Sequence, residues 1–250
     1  MWDTYIIIPM TNTLLFIYDI IGHNFGIAII LFTILIRAIT WPLTAQQLKG
    51  TQGMQELQKD KEWLTIQKKY KKDKEKLASE QMRIYKERGI NPFGSCLPTL
   101  IQFPIIIGLY RAIITSLAAT PLSLLNLSRN LYSFLDVAKI IPLNSQFLWM
   151  DLGRPESVNI FGFALPTLAI VVVITSYIQS KLMTPPSNPG DQSAAMGNMM
   201  AIYMPFLMGY FAMTFASGLA LYFITSNLLG IAQYAMMGRA NWSNLIPGKK

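Results

Sequence analysis

Along the chain, long apolar blocks alternate with polar ones. Five blocks are apolar and long enough to cross a bilayer: 25–45, 93–119, 161–181, 199–215 and 218–238. A spanning helix needs about 17–25 residues at ~1.5 Å each. Only Ala216 and Ser217 separate the last two blocks, which predicts a tight antiparallel helical hairpin. Pro98, Pro104, Pro166 and Pro205 lie inside the blocks. Membrane helices accept proline where neighbours re-satisfy the freed carbonyls.

The polar stretches carry their own periodicity. In 46–91, Leu57 and Leu64, Trp63 and Tyr70, and Leu77 and Ile84 each stand seven residues apart. That spacing predicts a helical hairpin with a narrow apolar stripe, turning at "YKKDKEK". Such a hairpin buries little and is expected to be mobile. The 120–158 segment is too polar to span and reads as amphipathic elements on a membrane surface. Residues 1–24 read as an interfacial helix leading into the first span. Residues 182–198, rich in Pro, Gly and Asn, read as a loop, and 239–250 as a basic tail.

Composition places this pattern in a class. Of 250 residues, 52% are hydrophobic, and the mean hydropathy is +0.35. Those values fit an all-α, multi-spanning membrane protein. The net charge of +8 suits an acidic partner or an anionic membrane surface. The charge is uneven: 46–91 holds twelve Lys and Arg, whereas 120–158 holds three. Basic loops stay in the cytoplasm. The expected topology is therefore N-terminus out, hairpin cytoplasmic, 120–158 external and C-terminus in. No basic stretch precedes the first apolar segment, so no cleaved leader is expected.

Candidate chemistry narrows further. A single cysteine, Cys96, excludes an intrachain disulfide and any thiolate cluster. The methionines of the last two spans read as adaptable packing, because no His or acid accompanies them there. No G-x-x-x-x-G-K-[ST] occurs, so nucleotide hydrolysis is not expected. The chain is read as a non-enzyme with no catalytic residue, metal site or cofactor.

One residue breaks the apolar pattern. "TILIRAITWPLT", residues 33–44, places Arg37 inside the first span, about two turns from its cytoplasmic end. A guanidinium in hydrocarbon costs at least ~2.5 kcal/mol and cannot lose its proton. Thr33 and Thr40 share its helix face. At similar depth the second span offers Thr99 and Gln102; the third offers Thr175, Ser176 and Gln179, and the fifth, nearer mid-membrane, Tyr222, Thr225, Ser226 and Asn227. Facing one another, these groups would line a wet cavity open to the cytoplasm and closed outside. None of the five spans contains Asp, Glu or His, so Arg37 has no counter-charge within the bundle. Two readings stand: Arg37 awaits a visiting acid, or it snorkels to inner-leaflet phosphate. Arg111, near the outer end of the second span, reads as a snorkelling residue.

Four stretches carry a resemblance. They are "ILIRAITWPLT", "QMRIYKERGINPFGSCLPTLIQFPIIIGLYR", "YIQSKLM" and "MPFLMGYFAMTFASGLALYFITSNLLGIAQ". In this order they resemble the YidC/Oxa/Alb membrane protein insertases, over nearly the whole of Phe25–Met237. The resemblance implies a five-helix core, a cytoplasmic helical hairpin and a hydrophilic groove with a positive residue at Arg37. It implies client contacts at Thr33, Gln179, Tyr222 and Phe223. Two positions depart from the family pattern. Phe223 stands where Trp or Tyr is usual, and "FASGL" lacks a proline. The short bacterial form is implied, without the large external domain of some relatives.

The function expected is therefore an insertase. It draws hydrophilic tails of nascent membrane proteins into the groove and releases their apolar segments into lipid. The alternative is a small-solute or ion transporter, disfavoured by the lack of intramembrane acids and of an inverted repeat. Expected partners are nascent membrane proteins, membrane lipids and the ribosome, with a Sec translocon and the signal recognition particle pathway as further candidates. Ribosome or nascent-chain contacts are expected at Lys59, Lys68, Lys69, Lys71, Lys72 and Arg83, because basic groups suit a phosphate surface. The active unit is expected to be a monomer. The expected location is a bacterial plasma membrane, with an organelle or thylakoid membrane as the alternative.

Overall fold

The computed structural model describes residues 1–58, 60–70, 73–89, 97–117, 120–140, 143–160, 163–183 and 192–238. Within these, the side chains of 47–52, 54, 55, 58, 74, 97–102, 137, 160, 163 and 192–200 lie outside the description.

A single helix dominates the first half. After Asn24, whose Oδ1 accepts the Ile27 N–H at 3.0 Å, α2 runs unbroken over Phe25–Gln58. Its 34 residues reach about 51 Å, well beyond a ~30 Å hydrocarbon core. The first span and the first arm of the hairpin are thus one helix. Strong helix formers after Thr44 (Ala, Gln, Leu, Met and Glu) carry it past the predicted end at 45.

The hairpin continues with α3 (Lys61–Lys69) and α4 (Lys74–Glu87), meeting where the turn was expected. Asp60 caps α3 by accepting the Glu62 N–H, and Asp73 caps α4 by accepting the Lys76 N–H. Its interior departs from the expectation of little burial. Leu57, Trp63, Ile66, Leu77, Ile84 and Tyr85 form a separate buried cluster. The Trp63 and Tyr85 rings lie 5.3 Å apart. One large aromatic supplies most of what a narrow stripe could not.

The N-terminal segment is packed into the bundle. One π-helical turn, Asp3–Ile7, leads into α1 (Ile8–Ile20). Leu14 and Leu15 are fully buried, and Tyr18 nearly so. This helix packs against α2 and against α5 (Leu97–Leu117). Asn12 pins it to the end of the 120–130 region: its Nδ2 donates to the Asn130 carbonyl, and its Oδ1 accepts the Tyr132 N–H at 2.7 Å. Arg111 pairs with Asp3 at 3.1 Å rather than standing alone.

Segment 120–158 and the residues after it are not purely helical, a correction to the all-α expectation. After α6 (Pro121–Asn130) and α7 (Val137–Ile140) come two antiparallel hairpins. The first pairs β1 (Gln146–Phe147) with β2 (Met150–Asp151), and the second pairs β3 (Val158–Ile160) with β4 (Phe163–Leu165). Strands of two or three residues leave no usable alternation in sequence. The remaining helices are α8 (Thr167–Met183), α9 (Gln192–Thr214) and α10 (Ser217–Met236). The turn between α9 and α10 is as short as expected, but the two helices are not packed along each other: α8 lies against both, and α10 also contacts α2.

Among the described residues, Phe25–Gln46 and Ser217–Met236 are long and apolar enough to cross a membrane. Phe103–Leu117 and Pro121–Asn130 meet the test together but are bent by 114°. Thr167–Met183 and Ala201–Thr214 are shorter apolar helices.

The β1–β2 hairpin packs on the end of the bundle where α10 begins. The Ser217 N–H donates to the Arg154 carbonyl at 2.8 Å, and the Gly218 N–H to the Leu152 carbonyl at 3.0 Å. The Ser217 hydroxyl donates to the Asp151 carbonyl at 2.7 Å. Phe147 lies where a Cβ on Gly26 would fall, so the strand can reach α2 only because residue 26 is glycine. Replacing Gly26 with Leu should therefore destabilise the fold by ~1–3 kcal/mol, the usual cost of overpacking. Adding Phe147→Ala to that variant should recover part of the loss. Thermal denaturation of the purified variants checks this, and an unchanged Gly26→Leu midpoint would refute it.

Candidate functional site

The site grows from the meeting of α2, α8 and α10. Arg37 projects from α2 onto Ser226 of α10. Its Nε donates to Ser226 Oγ at 3.1 Å, and its Nη2 donates to Ser226 Oγ at 2.6 Å and to the Ser226 carbonyl at 2.8 Å. Ser226 is buried and Arg37 half-buried. One turn along α10, Gly230 makes room: a Cβ there would overlap the Gln179 carboxamide and stand 3.6 Å from Arg37 Nη2. Small residues at such crossings let membrane helices approach. Arg37, Gln179 and Ser226 are thus brought together by three helices.

A second polar contact lies beside the first. Asn227 Nδ2 donates to Thr175 Oγ1 at 3.1 Å and to Ser176 Oγ at 2.8 Å, joining α10 to α8. The Gln233 side chain, seven residues beyond Ser226, is 2% exposed, and its Nε2 has no hydrogen-bond partner among the described residues.

The electrostatics are unequal. Every partner of the Arg37 guanidinium is a neutral oxygen. Among the described residues no carboxylate pairs with it, and its Nη1 has no hydrogen-bond partner there. A guanidinium has five N–H donors, and dipoles offset only part of its lost hydration. The cluster is therefore held in place while remaining able to attract an anion.

The other expected residues divide. Thr40 lies half-buried on the Arg37 face of α2, with its hydroxyl donated to the Ile36 carbonyl at 2.8 Å. Thr33 is fully buried, and its hydroxyl is donated to the Ile29 carbonyl at 2.6 Å. Tyr222 and Phe223 are buried too, with ring centroids 5.8 Å apart. Thr33, Tyr222 and Phe223 are thus enclosed by packed protein in this conformation. The side chain of Gln102 lies outside the described residues. Gly230 was missed by sequence reasoning, although a glycine four residues after a polar residue in a span is a readable sign of close helix approach.

On the hairpin, Lys68 and Lys69 are exposed, and Lys69 Nζ sits 5.1 Å from the Tyr70 ring centre. Arg83 is occupied within the hairpin. It pairs with Glu80 at 2.8 Å, with Glu87 at 2.7 Å and with Glu62 of α3 at 3.2 Å. Hydrogen bonds to Glu80, Glu87 and Glu62 raise its pKa above the ordinary arginine value. Lys59, Lys71 and Lys72 lie outside the described residues.

This arrangement has relatives. A family model described as "60Kd inner membrane protein" matches residues 16–243. The membrane protein insertase MisCA of Bacillus subtilis (strain 168) is 33% identical over 234 residues, covering 93% of this chain and 77% of that protein. Membrane protein insertase YidC 1 of Listeria monocytogenes serotype 4b (strain F2365) is 35% identical over 237 residues, covering 93% and 70%. The chain belongs to the YidC/Oxa/Alb family of membrane protein insertases. A crystal structure of an active YidC insertase, with its first transmembrane domain resolved, has the same fold at a TM-score of 0.59 and 27% identity. The match covers 94% of this chain and 46% of that one, so this chain spans about half the solved length. The family gives the transporter alternative no support.

If the three-helix cluster is the working part of this insertase, filling the space at Gly230 should disable it. Gly230→Leu should lower insertion roughly tenfold, equivalent to ~1.4 kcal/mol. Ser226→Ala, which leaves the carbonyl contact, should cost less. The assay is insertion of a single-span client into vesicles, normalised to folded protein. Normal insertion by Gly230→Leu would remove the cluster from the mechanism.

Proposed function

We propose that Arg37 is the receiving charge of a cytoplasm-facing, lipid-open groove, and that the acid it lacks comes from the client. The observation that carries this is a guanidinium whose hydrogen bonds, among the described residues, go to the neutral oxygens of Ser226. In this reading α5, α8 and α9 join α2 and α10 as five spans, with the N-terminus out and the C-terminus in. The charge asymmetry between 46–91 and 120–158 supports that orientation. The backbone ties at Ser217 and Gly218 support an outer end closed to solvent.

The mechanism is physical rather than covalent. Moving a hydrophilic tail across lipid is slow because its charges and backbone must be desolvated. A wet half-groove shortens the apolar path. An acidic tail residue enters the inner leaflet towards Arg37, where attraction exceeds that in water. The client's apolar segment then slides into lipid, gaining ~0.8 kcal/mol per buried CH₂ and driving the tail outward. Upper residues Thr33, Tyr222 and Phe223 contact the client once the packed part opens. The working unit is a monomer in a bacterial plasma membrane.

The exposed lysines of the hairpin face the ribosome or nascent chain, with the signal recognition particle and a Sec-type channel as upstream partners. Charge reversal at Lys68 and Lys69 should weaken ribosome binding and flatten its salt dependence. Sedimentation with ribosomes across a salt series tests this. Unchanged binding would leave those lysines as solvated surface.

The decisive experiment varies charge on both sides. Matched clients carry acidic, neutral or basic tails, and insertion is normalised to folded protein. Arg37→Lys should keep much of the activity. Arg37→Ala should slow acidic tails roughly ten- to a hundredfold, the worth of a hydrogen bond to a charged group, and neutral tails least. Arg37→Glu should be worse for acidic tails and partly restored by basic ones. Equal losses for all three tails with Arg37→Glu would mean that Arg37 serves the bundle or the lipid surface instead.

A further inference from the structure

The β1–β2 hairpin ends in a tip that water does not favour. Phe147 pairs with Met150, so Leu148 and Trp149 form a two-residue loop. Positive φ in such a loop ordinarily falls to Gly, Asn or Asp. Here Leu148 takes φ +56. Leu148 is 72% exposed and Trp149 62% exposed. A strained backbone that presents two large apolar side chains to solvent is costly twice over.

The location of the tip changes its solvent. Phe147 rests on Gly26, in the first turn of α2. Trp149 Nε1 donates to Glu156 Oε1 at 3.3 Å. Glu156 in turn accepts the Thr167 hydroxyl at 2.7 Å and the Leu168 N–H at 3.0 Å, at the start of α8. The tip therefore bridges the outer ends of two apolar helices. Their flanks, including Ile27 on α2 and Ile174 on α8, are exposed. We propose that Leu148 and Trp149 form an anchor that dips into the headgroup–acyl boundary of the outer leaflet and sets the depth of α2 and α8. Lipid supplies the apolar surroundings that both side chains lack. The indole suits that boundary, with its ring in the acyl region and its N–H held by Glu156 at the polar edge. This rests on the reading that 120–158 lies outside.

The test measures depth in vesicles of phosphatidylethanolamine and phosphatidylglycerol. Leu148→Cys and Trp149→Cys, each with Cys96→Ser, carry a nitroxide. Its relaxation by oxygen, which partitions into lipid, is compared with that by a water-soluble nickel chelate. Lys139→Cys, with a side chain 73% exposed, gives the aqueous reference, and Ile174→Cys the lipid reference. The expected oxygen-to-nickel ratio at both tip positions is several-fold above that of Lys139→Cys and approaches that of Ile174→Cys. Ratios equal to the aqueous reference overturn the anchor. Protection from both reagents also overturns it, because protein then covers the tip. Separately, an impermeant maleimide reports which face exposes Lys139→Cys. Reaction from the cytoplasmic face alone overturns the orientation and the anchor with it.

Discussion

A guanidinium cannot neutralise itself, and no acid in any span offsets Arg37. Much of the structure answers that constraint. Ser226 turns both its hydroxyl and its carbonyl to the charge, and Gly230 lets Gln179 and Arg37 draw close. Neutral oxygens solvate the cation without cancelling it. A buried carboxylate would have bonded more strongly and cancelled the charge.

The end of the bundle where α8 and α10 begin is organised around a different constraint. Backbone groups at a helix start must find partners, because lipid offers none. The first residues of α10 donate to carbonyls of 152 and 154, and Glu156 accepts the N–H near the start of α8. The short β-hairpins therefore satisfy helix ends while covering the bundle.

α2 links the two ends. It begins under Phe147, carries Arg37 along its length and continues into the first arm of the hairpin. The hairpin has its own buried cluster around Trp63 and its own ion-pair network at Arg83. It is a small packed unit on the end of a long helix rather than a solvated loop. Its arginine is used for its own cohesion, which leaves the exposed lysines as the outward charge.

The sequence by itself determined how deep each group lies and what is missing. Block lengths set the apolar segments, the heptad spacing of Trp63, Leu77 and Ile84 set the hairpin stripe, and the lack of intramembrane acids isolated Arg37. Its likeness to the insertases was legible for the same reason, since the polar interruptions of apolar blocks are sparse and ordered. Tertiary structure alone decided who meets whom. Ser226 rather than Thr225 or Asn227 receives Arg37, α8 rather than α9 lies along α10, and Thr33, Tyr222 and Phe223 are buried. It also drew α1 into the core and folded 146–151 into strands. The physical reason is that an all-apolar helix has no strong periodicity to mark its inner face. Rotation about its axis is then chosen by packing, by one glycine beside a glutamine and another beneath a phenylalanine.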